Sequence, residues 1–125
     1  MMARIIAYFI ACAAFSSPCE ALTVLIYSRA DSEQAEKVRR LLRVSDPVWM
    51  DRDLVPGTPW RSEIGRRICR ADRVVVVWSA YAAASVEVGA EWRHAAACGR
   101  KLVPVLLDGT AMPAELGARQ AVDWR

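Results

Sequence analysis

Four consecutive valines, Val74 to Val77, constrain this chain more than any other stretch. A strand with one wet face alternates polar and apolar residues. Four β-branched residues in a row do not, so both faces of the strand they form must be covered. Such a strand belongs at the centre of a parallel sheet. The stretch runs on as VVVVWSAYAAASVEVGAE, Val74 to Glu91, through a short Ser- and Ala-rich turn into an amphipathic helix. Ser85 is placed to cap that helix, its hydroxyl satisfying a free backbone N–H of the first turn. Glu91 falls about one and a half turns into the helix. That position is near the carboxyl end of the strand, the edge at which open α/β sheets bind ligands.

From Leu22 onward strands and helices alternate. LTVLIYS, Leu22–Ser28, reads as a short, mostly apolar strand. Asp31 or Ser32 can cap a helix to about Arg43, with Ala35, Val38, Leu41 and Leu42 on its apolar face. Glu33 with Lys37, and Glu36 with Arg40, are i,i+4 pairs on the wet face. PVWM, Pro47–Met50, is a second strand, and DRDLVPGTPW, Asp51–Trp60, a loop marked by Pro56-Gly57. Thr58 then Pro59 read as N-cap and first position of a helix to Arg70, with Trp60, Ile64 and Ile68 on one stripe. The helix carrying Glu91 should end at Gly99. KLVPVLLD, Lys101–Asp108, is another buried strand, a turn of helix follows Pro113, and AVDWR is a last short strand. The order βαβαβαβ(α)β implies a parallel sheet. There is no internal repeat and no low-complexity linker.

With 125 residues the chain suits one domain with a real core. Its net charge of +3 comes from fifteen Arg and two Lys spread without a block, which argues against a nucleic-acid surface. Cys12, Cys19, Cys69 and Cys98 show no CxxC spacing, so no zinc or redox motif is expected, and free thiols in a reducing compartment are the default. Residues 1–20 form an apolar extension, with one basic residue, an apolar run and then small residues around SSPCEA. It is too short for an ordinary transmembrane helix. Three readings are open: an export signal, a membrane-associating anchor, or upstream sequence foreign to the domain. The second would put the domain in the cytoplasm against a membrane, and the first would make it secreted.

Five stretches together resemble a bacterial-type TIR (Toll/interleukin receptor) domain over residues 21–125. IYSRAD fits that family's first-strand box, and WMDRDLVPGTPW its second box with acidic positions, Pro-Gly and Trp. VVVVWSAYAAASVEVGAE fits the third-strand stretch, in which a serine precedes a glutamate by six. KLVPVLLD and VDW fit the fourth strand and the family's end. The resemblance implies a flavodoxin-like α/β fold, a central five-stranded parallel sheet flanked by helices. Family domains generally continue with a further helix, whose absence would uncover apolar sheet surface and favour self-association.

Many bacterial and plant TIR domains cleave NAD⁺ between nicotinamide and ribose, with one glutamate at the position of Glu91. The resemblance therefore implies a glycohydrolase with NAD⁺ as substrate, Glu91 as the catalytic carboxylate, and no separate cofactor or metal. Its other class of reading is a non-catalytic module that contacts further TIR domains through the Asp51–Trp60 loop, with Asp51 at its start and Arg52, Asp53, Leu54, Pro56 and Gly57 at its tip; the resemblance implies that this loop also shapes the substrate cleft. Active members usually carry Trp where this sequence has Glu87. Glu87 and Glu91 share a helix face, so one carboxyl should titrate high unless Arg93 or His94 offsets it. Candidate substrate contacts are Ser28, Arg29, Arg52, Trp60, Ser79, Ser85 and Glu87. Each also has a plainer reading: turns and caps for the serines, solvated charge for Arg29, core for Trp60, and a positive φ for Gly57. Asp31 is better read as a cap, Trp92 as core and His94 as surface. A phosphoacceptor receiver domain of similar order fits poorly, because the valine strand ends in Trp78-Ser79 instead of an aspartate.

Overall fold

The computed structural model describes residues 22–44, 46–54, 56–57, 59–117 and 120–125. Its strands are β1 (Thr23–Ile26), β2 (Val48–Trp49), β3 (Arg73–Trp78), β4 (Lys101–Leu106) and β5 (Val122–Asp123). All are parallel, in the order β2-β1-β3-β4-β5. Helices α1 (Ser32–Leu42), α2 (Trp60–Arg70), α3 (Ala80–Ala84), α4 (Val86–Ala97) and α5 (Ala114–Gly117) connect them, with 3-10 turns at Arg29–Asp31 and Asp51–Asp53. The expected five-stranded parallel α/β sheet is therefore present. The segment expected to be only a Ser/Ala turn forms α3, because the Ser79 hydroxyl accepts from Ala82 N–H and starts a helix there.

The valine strand divides the core in two. Val74, Val76 and Trp78 face one cluster with Ile64 and Ile68 of α2 and with Val88, Trp92 and Ala95 of α4. Val75 and Val77 face the other, with Ala35, Val38 and Leu42 of α1. Six consecutive buried positions in β3 make it the central strand. Leu41 was expected on α1's buried face but is 43% exposed, on the flank of the stripe that Ala35, Val38 and Leu42 form. The second face is not left bare. Val103, Val105 and Val122 are buried, with Tyr27, Leu107 and Trp124 packed against their cluster. The Trp124 indole also donates to Gln34 Oε1 at 3.3 Å, fixing the end of the described chain to α1.

Caps decide where α4 begins and ends. Ser85 Oγ accepts from Val88 N–H at 3.2 Å, as expected. At the other end Gly99 has φ +70°, Gly99 N–H donates to Ala96 O, and Arg100 N–H donates to Ala95 O. This pair of reversed bonds closes orphan carbonyls and needs a left-handed residue between them. Gly99→Ala should therefore destabilise the fold by about 1–2 kcal/mol, the left-handed penalty for a residue with a Cβ. Chemical denaturation checks this, and an unchanged midpoint would contradict it. The Thr58 cap and everything expected of residues 1–20 lie outside the described residues. Among the described residues no helix is long and apolar enough to cross a membrane.

Candidate active site

The sheet order reverses between β1 and β3, and the residues following those strands, with the turn after β2, bring the candidate side chains together. Tyr27 and Arg29 follow β1, Asp51 and Arg52 occupy the turn after β2, and Trp60 opens α2. With Glu87 and Glu91 of α4 they line a cleft of about 410 Å³ at the carboxyl edge of the sheet. Crevices at such a switch point are where open α/β sheets hold ligands.

Glu91 is the chemically distinctive group. Its carboxyl pKa is pushed up to about 7, first by burial and then by the carboxylates of Asp51 and Glu87. Among the described residues no cation pairs with it. Neither Arg93 nor His94 offsets the shift, because both turn elsewhere. The Arg93 guanidinium lies 4.8 Å from the Trp92 ring centroid, and His94 points to Cys69. Trp92 itself is 1% exposed and anchors α4 against the sheet, as expected of a core residue.

Asp51 was expected in a loop that makes self-contacts and shapes the cleft. In the structure it faces the cleft and accepts a 2.6 Å hydrogen bond from the Tyr27 hydroxyl. Burial and that bond push the Tyr27 pKa up to about 12, so the phenol stays a donor at neutral pH. Sequence reasoning missed Tyr27 altogether, although it is the aromatic of the IYSRAD box. Asp53 is tied down in a different way. It forms a bidentate pair with Arg39 at 3.0 and 3.1 Å and accepts from Met50 N–H at 2.9 Å, locking the turn after β2. Leu54 packs against the core cluster, while Pro56 and Gly57 are exposed at the described tip. Gly57 has φ +89°, which meets the expectation of a positive φ.

The remaining candidates divide. Arg29 is exposed on the cleft. Arg52 lines it too, while its guanidinium donates to Glu36 Oε2 at 2.9 Å. Glu36 was expected to pair with Arg40 but meets Arg52 and Arg39, since the turn after β2 folds over its face of α1. Trp60 is 43% exposed: α2's first turn overhangs the cleft, which corrects its reading as core. Ser28, Ser79 and Ser85 do not line the cleft. Ser28 Oγ accepts from Ala30 N–H, Ser85 caps α4, and the buried Ser79 hydroxyl donates to Asp31 Oδ2. Asp31 is at the helix N-cap position but makes no side-chain cap bond, because its carboxylate is committed to Ser79.

One further cluster adjoins the site. A groove of about 370 Å³ between α2 and α4 runs from Trp60 and Glu91 to His94. Beyond His94, Cys69 of α2 is joined by a disulfide to Cys98, with Cα atoms 5.4 Å apart. This overturns the expectation of free thiols for that pair. A separation of 29 residues with no spacing motif hid it in the sequence, since only the α2–α4 packing brings the two together.

The fold and its sequence have clear counterparts. The chain is similar in structure to the TIR domain of the Toll-related receptor TRR-2 from the lower metazoan Hydra magnipapillata. The TM-score is 0.72 at 21% identity, over 82% of each chain. It is also similar to a 2-deoxyribosyltransferase from Bacillus psychrosaccharolyticus, at a TM-score of 0.59 and 15% identity, over 80% of this chain and 82% of that one. No curated protein matches in sequence. The family model described as "TIR domain" matches residues 24–125, which takes in every described strand except the first residue of β1. The chain therefore belongs to the TIR domain family.

Proposed function

We propose that this TIR domain cleaves the bond between nicotinamide and ribose in NAD⁺, with Glu91 as the essential carboxylate. One observation carries the reading: a half-buried carboxyl, with no cation paired to it among the described residues, stands in an open cleft at the ligand-binding edge of the sheet. Structural carboxylates are usually neutralised by a cation or a donor, whereas desolvated ones in clefts mark functional sites.

The chemistry needs only one carboxylate. Most glycoside hydrolases use two, one of them to protonate a poor leaving oxygen. Nicotinamide in NAD⁺ is already positively charged and departs neutral, so no proton donor is required. As the C–N bond breaks, positive charge grows on the ribose. An ionised Glu91 against that sugar orients its hydroxyls and stabilises the cation electrostatically, most strongly where water is excluded. Water then adds to give ADP-ribose, or an adenine nitrogen of the same molecule adds to give a cyclic product. Arg29 supplies a cation for the pyrophosphate, and the exposed Trp60 ring supplies a flat face for a base. The fold likeness to a deoxyribosyltransferase adds an analogy of layout only. Pro56 and Gly57, bare at the tip, are suited to touch a second TIR domain, and such assembly fits a role in defence or signalling.

The pH profile follows from the electrostatics. The rate should rise as pH passes through about 7, where Glu91 ionises. Asp51→Asn removes the larger of the two repelling charges while keeping an acceptor for Tyr27. It should therefore move the acid limb of kcat/KM to lower pH. An unmoved limb would show that Asp51 does not act on Glu91. The reading itself is tested by chromatography of NAD⁺ incubated with concentrated protein, with and without a crowding agent. Nicotinamide with ADP-ribose or its cyclic isomer is expected. Intact NAD⁺ in samples where assembly is demonstrated would leave a scaffold of TIR–TIR contacts instead.

A further inference from the structure

We propose that the dithiol form of this chain binds one zinc ion through Cys69 Sγ, His94 Nε2 and Cys98 Sγ. The inference is independent of the NAD⁺ chemistry.

His94 of α4 and Cys98, the C-cap residue that follows the helix, are four residues apart, the spacing that stacks two ligands on one helix face. Cys69 comes from the last turn of α2, so the three ligands come from the C-terminal ends of two helices held by core packing. Tetrahedral zinc, with Zn–S about 2.3 Å and Zn–N about 2.0–2.1 Å, separates sulfur from nitrogen by ~3.6 Å and sulfur from sulfur by ~3.8 Å. His94 Nε2 lies 3.1 Å from Cys69 Sγ and 3.9 Å from Cys98 Sγ, on either side of that value. The three ligand atoms all lie within 4.8 Å of one another. Only the sulfur–sulfur separation has to open, and reducing the disulfide permits it. A phosphine does this with water, giving two thiols and a phosphine oxide.

Zinc then displaces one proton from each thiol, and two protons leave to buffer. For Nε2 to ligate, the ring proton must sit on Nδ1, which replaces the 3.1 Å contact of Nε2 with the Gly65 carbonyl. Two thiolates and a neutral imidazole cancel the ion's charge, so Arg66 and Arg70 beside the groove do not oppose binding. His94 is exposed and both cysteines are partly exposed, which leaves a path for the ion and a fourth position for water. The disulfide and the zinc site are alternative states of one pair.

The test uses the full chain, reduced with a phosphine under anaerobic conditions and titrated with Co²⁺ and then Zn²⁺. One Co²⁺ per chain should bind with a thiolate-to-cobalt charge-transfer band that Zn²⁺ bleaches, and the oxidised chain should show no band. Cys98→Ser and His94→Ala should weaken binding by more than the ~10–100-fold typical of losing an outer partner of a zinc ligand. Cys12→Ser with Cys19→Ser should leave it unchanged. Absence of the band in reduced protein would overturn the proposal. So would a band that survives oxidation of the Cys69–Cys98 pair, or one abolished by the Cys12/Cys19 substitutions. The oxidised and reduced wild type decide the matter even where a variant fails to fold.

Discussion

Glu91→Gln is expected to lower NAD⁺ cleavage by at least about 10²–10³-fold, the range for losing one preorganised group that meets transition-state charge. Glutamine keeps the size and hydrogen-bonding capacity of the side chain but not its charge. The loss should therefore fall on kcat more than on KM. The same variant should gain stability, with a sign fixed by linkage. The folded-state pKa of Glu91, about 7, lies above its ordinary value of 4.5. A carboxyl raised on folding contributes stability that is complete below the unfolded pKa and is lost as pH rises through the folded one. Glutamine has nothing to lose. Glu91→Gln should then unfold at higher temperature than wild type at pH 8 and at the same temperature near pH 4. Equal melting temperatures at both pH values would show that burial does not strain the carboxyl. A site that destabilises its own fold is what a stability–activity trade-off looks like.

Trp92→Ala should cost about 3–5 kcal/mol, the usual range for deleting a large buried side chain and leaving a cavity. Trp92 is 1% exposed and belongs to the cluster that seats α2 and α4 on the central strand. A typical domain has only about 5–15 kcal/mol in hand, so the variant should be largely unfolded under mild denaturant. A urea midpoint lowered at constant slope would bear this out. A loss below about 1 kcal/mol would mean that the helix is held from elsewhere. Because Trp92 is next to Glu91 in the chain, any residual folded protein should also lose activity.

Much of this architecture was legible in the sequence, since local rules fixed it. Four valines could not form a one-sided strand, and β3 is buried on both faces. Ser85 and Gly99 mark the ends of α4 as capping chemistry requires. Hidden were the relations between residues far apart in the chain. Nothing local predicts that Asp51 pairs with the Tyr27 hydroxyl and raises the Glu91 pKa, or that Asp31 gives up its cap to bind Ser79. Periodicity placed Trp60 on the stripe of Ile64 and Ile68. It could not show that the helix's first turn projects past the sheet, leaving the indole half in water. Cys69 and Cys98 were silent for the same reason: their meeting is a property of two helices packed side by side.

The central claim is that Glu91 breaks the glycosidic bond of NAD⁺, and nicotinamide release by wild type and Glu91→Gln at matched high concentration tests it most directly. Steady release by the wild type, rising through neutral pH and absent from the variant, is the predicted result. Equal release by both proteins, or none from a wild type shown to be assembled, would contradict it.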